Sequence, residues 1–300
     1  MARFALVAPC VFALACGPAA TLDQLDAAVP SRDVLSVALP PPPPVPAATC
    51  ATLGPATFGQ ATHDVSATVD GVLDGVLGMA DQLRAQPPSA QGSGEAMWGP
   101  IQGDASEYMF AVQQQGGTAF NFFLGGQAQG AQDAWQGVFG GSSDVIDAQH
   151  RSGEVDVNFG VMHDLDGTTD PISGGAAVVF AIDDDGRRVN AHFGQIVSAG
   201  ATDPTDNDYA FIEAPDHTVS FAFSTKLDFD GGGVADERVH IDSKWAADGS
   251  GVAHVTITDG SLGSGEVHAV ECWDGSLART YAADDRAPGV EEGSAACCPF

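Results

Sequence analysis

"TVSFAFSTKLDF", running from Thr218 to Phe229, is the stretch that decides the fold class. Val219, Phe221, Phe223, Leu227 and Phe229 fall on one side of an extended chain. Thr218, Ser220, Ser224, Lys226 and Asp228 fall on the other. Alternation sustained over about ten residues marks a strand with one buried face. One wet face in turn implies antiparallel neighbours. "EVDVNFGVMHDL", Glu154 to Leu165, reads the same way: Val155, Val157, Phe159, Val161 and Leu165 oppose Glu154, Asp156, Asn158 and Asp164.

Shorter windows repeat the pattern at 107–114, 118–125, 134–139, 176–182, 188–197, 208–213, 238–246, 252–258, 266–273 and 279–282. Between them lie turn-forming clusters such as "DDDGRR" (Asp183–Arg188) and "ADGSG" (Ala247–Gly251). No helical crossover of usable length separates these windows, so a parallel sheet is excluded. The sequence therefore predicts a mainly β protein: a large antiparallel meander of about a dozen strands. It would curve into an open barrel, a curved sheet or a sandwich, with one N-terminal helix packed on it. That helix is expected over 64–85, where Val65, Val69, Val72, Val76, Leu77, Ala80 and Leu83 recur at helical spacing. Asp64 is its expected N-cap, and Pro87-Pro88 end it.

The N-terminus addresses the compartment. Arg3 precedes an uncharged, mostly apolar run from Phe4 to Ala15, the pattern of a signal peptide over 1–15. The run is too short to span a bilayer. "ALACG" (Ala13–Gly17) resembles a bacterial lipobox, with Cys16 as the lipid-attachment residue. Residues 16–60, containing Pro40–Pro44 and Pro46, read as a Pro-rich tether reaching on the order of 35 Å. Residues 61–300 form the helix-plus-β domain. If Cys16 is lipidated and Cys10 is removed, then Cys50, Cys272, Cys297 and Cys298 remain: an even set for two disulfides in an oxidising compartment. Their connectivity is left open. The expected localisation is exported, in the envelope, lipid-anchored to a bacterial membrane.

Charge narrows the partners. Forty acidic side chains face 11 basic ones, a formal net charge of −29. Nucleic acid is thereby excluded as a partner, because binding it needs clustered Lys and Arg. Any membrane contact would come through the N-terminal lipid. The acidic loops "DLDGTTD" (Asp164, Asp166, Asp170) and "DFDGGGVADE" (Asp228, Asp230, Asp236) place carboxylates two apart beside glycine. Calcium uses such oxygens, although neither loop completes an EF-hand. The plainer reading is a charged strand end entering a turn.

His240, His254 and His268 lie fourteen apart on three successive windows. Measured along the strand path they are roughly 40 Å apart, which argues against a shared zinc. The sequence carries no G-x-S-x-G, phosphate loop or dinucleotide fingerprint. Phe122, Phe159, Phe180, Phe221 and Phe223 on apolar strand faces could line a site for an apolar small molecule, or simply fill a core.

Three stretches also carry a family likeness. "MWGPI" (Met97–Ile101), "DSKWAADGSGVAHVTITDG" (Asp242–Gly260) and "VECWDGSLARTYAADD" (Val270–Asp285), followed by a Cys-rich end, resemble uncharacterised lipoproteins of myxobacteria over about residues 95–300. The doubled Cys297-Cys298 departs from the single terminal cysteine of that pattern. The resemblance implies a lipoprotein and transfers no catalytic residue. The expectation is thus a non-enzymatic envelope lipoprotein with a structural or apolar-ligand-binding β domain. The alternatives are a calcium-dependent adhesion or glycan-binding module, with a cell-surface partner, and a hydrolase using paired carboxylates.

Overall fold

The computed structural model describes residues 19–40, 50–103, 105–131, 134–166, 173–197, 204–227, 237–286 and 291–300. The chain is mainly β: fifteen strands form one open antiparallel sheet in which every strand pairs with its neighbours in sequence. The strands are β1 (Ala90–Gly92), β2 (Glu95–Gln102), β3 (Ser106–Gly116), β4 (Ala119–Ala128), β5 (Gln136–Val145), β6 (Arg151–Asn158), β7 (Ser173–Asp183) and β8 (Gly186–Val197). There follow β9 (Thr205–Glu213), β10 (Val219–Leu227), β11 (Glu237–Trp245), β12 (Gly251–Asp259), β13 (Glu266–Trp273), β14 (Arg279–Asp284) and β15 (Glu291–Gly293). Both edge strands are three residues long and exposed, and β15 carries Glu291 and Glu292. Short edges, one of them charged, discourage pairing with another chain.

The two-residue rhythm sets the inner face. Val219, Phe221 and Phe223 are buried on β10, as are Val239, Ile241 and Trp245 on β11 and Ala253, Val255 and Ile257 on β12. Among the described residues four α-helices accompany the sheet: α1 (Leu22–Ala28), α2 (Arg32–Leu35), α3 (Thr57–Arg84) and α4 (Phe159–Asp166). Helix α3 touches β2 and β3 on one side and β11, β12 and β13 on the other. The strands between, β4 to β10, make few or no contacts with it. The trough so formed is taken up by α1, α2 and rings from the strands. Close strand approach helps seat those rings. A Cβ on Gly141 would come within 2.0 Å of the Glu154 carbonyl oxygen, and one on Gly153 within 2.3 Å of that of Ser142. Bare glycines there leave room for the Phe122 and Phe180 rings.

Three expectations need correction. Helix α3 begins at Thr57, not Asp64, and Ala56 at its N-cap makes no side-chain bond. The segment expected as a free tether is packed where it is described. Leu25, Ala28, Val29, Leu35 and Val37 are buried, because one apolar stripe of α1 and the extended chain after α2 supply the trough's filling. Residues 16–18 and 41–49 lie outside the described residues. Third, the strand from Glu154 stops at Asn158. The Asn158 side chain accepts from the Val161 N–H at 3.1 Å, and α4 turns back onto β4, β5 and β7. Phe159, Met162 and Leu165 suit a helix by their spacing of three, and Leu165 is buried.

Candidate functional site

The apolar residues expected to face a ligand do converge on the inner face. Phe122, Phe180, Phe221 and Phe223 are all buried in the core. Phe159 is half-buried on α4, stacked at 6.2 Å on Phe193. Phe193 continues edge-on to Tyr209, which stacks on Phe221 and Phe223. These rings fill the core together with buried residues of α1, α2 and α3, the second of the two readings the sequence leaves open.

The calcium residues are only partly in view. Asp164 is exposed on α4. The side chain of Asp166 lies outside the described part of the structure, as do residues Asp170, Asp228, Asp230 and Asp236. Among the described residues no three His, Cys, Asp or Glu are grouped to hold a metal ion. The histidines are a correction of another kind. Register pairs His240 with Thr256, His254 with Asp242, and His268 with Thr256. All three are exposed on the same outer face within two positions of one another. Path length through the turns misjudged their separation, because neighbouring strands lie only about 4.8 Å apart. In the structure His240 meets Ser224 Oγ at 3.0 Å and His268 meets Glu266 at 3.5 Å, so the rings serve local pairs.

The densest polar constellation lies at one rim of the trough, where the hairpins β3–β4, β5–β6, β7–β8 and β13–β14 turn. Residues 20–39 run along it as an arm. The Ala20 N–H donates to Gln114 Oε1 at 2.9 Å, and Ser143 Oγ donates to the Ala28 carbonyl at 2.6 Å. Three arginines fasten the arm's carbonyls: Arg84 to Asp26, Arg151 to Ala27, and Arg187 to Ser36. Each also lies over a phenylalanine ring, with Arg187 4.7 Å from the centre of Phe211. Asp70 on α3 accepts from Ser36 Oγ and from the Val37 N–H.

Residues 50–56 form a second strap on the same rim. Leu53 and Gly54 exchange backbone bonds with Arg279. Glu271 of β13, 2% exposed, then accepts from the N–H groups of Thr57, Phe58 and Gly59 at 2.9, 2.6 and 3.2 Å. A carboxylate from a strand thus caps α3, where the orphan amides and the helix dipole favour a negative charge.

Two ion pairs stand on this rim. His150 in the β5–β6 turn contacts Asp147 at 2.9 Å and Asp184 of the next turn at 3.2 Å. The Asp147 bond, then Asp184, raises the imidazole above its ordinary value. Arg187 meets Glu213 at 2.7 Å. Burial alone would raise the Glu213 carboxyl, but Arg187 and His217 outweigh it and hold it below the usual range.

Covalent ties complete the rim. Cys50 is bonded to Cys297 and Cys272 to Cys298. The four cysteines expected to pair therefore do so, in one of the connectivities left open. The terminal segment lies on the outer face and, with Ser220, Asp242, Lys244, Val252, His254 and Val270, borders a cavity of about 540 Å³. The Lys244 ammonium sits 4.3 Å from the Phe300 ring centre in that cavity wall. Asp156 is the carboxyl raised above its ordinary value among the described residues, by desolvation and then by Glu154. It stands on the open outer face of β6, so it offers no enclosed acid–base pair.

No family model, no curated protein and no solved structure matches the chain. Among the described residues no helix is long and apolar enough to cross a membrane. The two disulfides fit an oxidising, exported location.

Proposed function

We propose that this chain is a non-enzymatic envelope lipoprotein, lipid-anchored through Cys16, whose β domain has a structural role instead of carrying an apolar ligand. The observation that supports this reading is the filling of the trough by the chain itself. Residues 20–39 and α3 occupy the face on which a lipid would have to lie. The sequence likeness to uncharacterised lipoproteins and the two disulfides agree with export and anchoring. Mass spectrometry of the protein purified from membranes tests it. The mature chain should begin at a lipid-modified Cys16, and its native mass should contain no further bound lipid. An unmodified Cys16, or a stoichiometric co-purified apolar molecule, refutes the proposal.

A further inference from the structure

We infer that the rim carrying residues 20–39 rests directly on the bilayer, with the β5–β6 turn at Ile146 as its contact point. The inference rests on the lipidation of Cys16 proposed above and deepens it. A tether of some 40 residues would leave the domain's orientation free. The structure shortens that leash to four residues, because the chain is already docked at Ala20. Ala20 is 9% exposed, and Thr21 begins α1 with a reciprocal capping box to Gln24. Four residues reach at most about 14 Å. The lipid-bearing residue therefore stays within about 14 Å of Ala20, whose N–H is bonded to Gln114 beside the β3–β4 turn, whatever path the intervening chain takes.

A second observation chooses the rim over the side of the sheet. Ile146 is 71% exposed, the most exposed of the large apolar residues described. It sits in the β5–β6 turn, closed by its N–H donating to the His150 carbonyl. Consecutive antiparallel pairing places this turn at the same end as the β3–β4 turn. The arm joins the two, from Gln114 at Ala20 to Ser143 and Arg151 at Ala27–Ala28. Anchor and exposed isoleucine thus share one end of the molecule, while strands of up to 12 residues carry the opposite turns on the order of 40 Å away. Asp144, Asp147, Asp183, Asp184 and Asp185 on this rim oppose attraction to anionic headgroups. The contact is therefore made by the acyl anchor and Ile146, with no electrostatic recruitment.

Hydrogen–deuterium exchange of the lipidated full chain in phosphatidylcholine nanodiscs, against Cys16→Ser protein in buffer, tests this. Exchange should slow at least about threefold at residues 116–118 and 145–150 and stay unchanged at 129–131 and 260–265 at the far end. Inserting twenty Gly and Ser residues between Gly17 and Pro18 should abolish the protection, and Ile146→Asp should remove it at its own turn. Protection at the far end, or none anywhere on a chain whose N-terminal peptide carries the lipid, overturns this inference and leaves the lipoprotein reading standing. An unmodified Cys16 in the same peptide analysis overturns both.

Discussion

The arm at residues 20–39 and the strap at residues 50–56 close the same rim by different chemistry. The arm has no covalent bond to the sheet. It is held by Leu25, Leu35 and Val37 in the core and by arginine, serine and aspartate side chains on its backbone. The strap buries little, and is held by the Cys50–Cys297 bond, two backbone bonds to Arg279 and the Glu271 cap that follows it. The strap thus depends on an oxidising compartment and the arm does not. Removing one fastening should leave the other intact.

The largest effect is expected from the strap. The Cys50–Cys297 bond closes a separation of 247 residues and Cys272–Cys298 one of 26. On the chain-entropy account, Cys50→Ala with Cys297→Ala costs about 5 kcal/mol, and Cys272→Ala with Cys298→Ala about 3.5 kcal/mol. Chemical denaturation of the two double variants gives the order directly. Equal losses would show that the strap's covalent tie is no stronger constraint than the tail's.

The arm's counterpart is Leu35→Ala. Leu35 is 1% exposed, so the lost contacts and the residual cavity should cost about 3 kcal/mol in the same denaturation assay. The loss should be the same with and without reductant, if the arm is independent of the disulfides. A smaller loss in reduced protein would show that the arm is seated by the strap.

Glu271→Ala comes next, at about 2 kcal/mol, because the first three amides of α3 lose their acceptor. Glu271→Gln keeps one carbonyl oxygen and should cost less than half as much, as read by thermal melts. If both variants melt like the parent, solvent has replaced the cap and the strap is held by its disulfide and its backbone bonds.

These residues also mark where sequence reading succeeds and stops. The strands were legible because Val and Phe alternate with polar residues over eight or more positions, as on β10 and β11. The same rhythm contains its own exceptions. Arg151, Arg187 and Glu271 fall on the inward phase of β6, β8 and β13, where an isolated charge needs a partner. That anomaly was available from the sequence; the partners were not, since they lie 124, 151 and 214 residues away. Helix α3 was placed seven residues late for the same reason: its cap comes from another strand. The arm has no sustained period, because its burial alternates between two short helices, of about two turns and one, and extended chain. The histidines were misplaced by counting path length where register decides.

Ser143→Ala isolates one fastening of the arm. It removes the buried hydroxyl donor to the Ala28 carbonyl and should cost about 1 kcal/mol. Native-state hydrogen exchange should show the loss in α1 before the rest of the sheet, as a local opening. Uniform loss across the strands would mean that the arm unfolds only with the whole domain.

The smallest effect expected is also the one that separates arm from strap by pH. His150 is raised above 6.5 by Asp147 and then Asp184. A raised folded-state value gives stabilisation that is complete below the unfolded value and fades as pH rises through the folded one. His150→Gln should therefore lower the melting temperature in full below about pH 6.5 and converge on the parent only as pH rises past the raised folded-state value. Glu213 is displaced downward, so its pairing with Arg187 is present above the usual carboxylate range and is lost as pH falls through its lowered folded value. Between those limits both pairs hold. The disulfide of the strap does not titrate, so a melting difference that persisted to pH 9 in His150→Gln would assign this turn's contribution to packing and not to the charged pair.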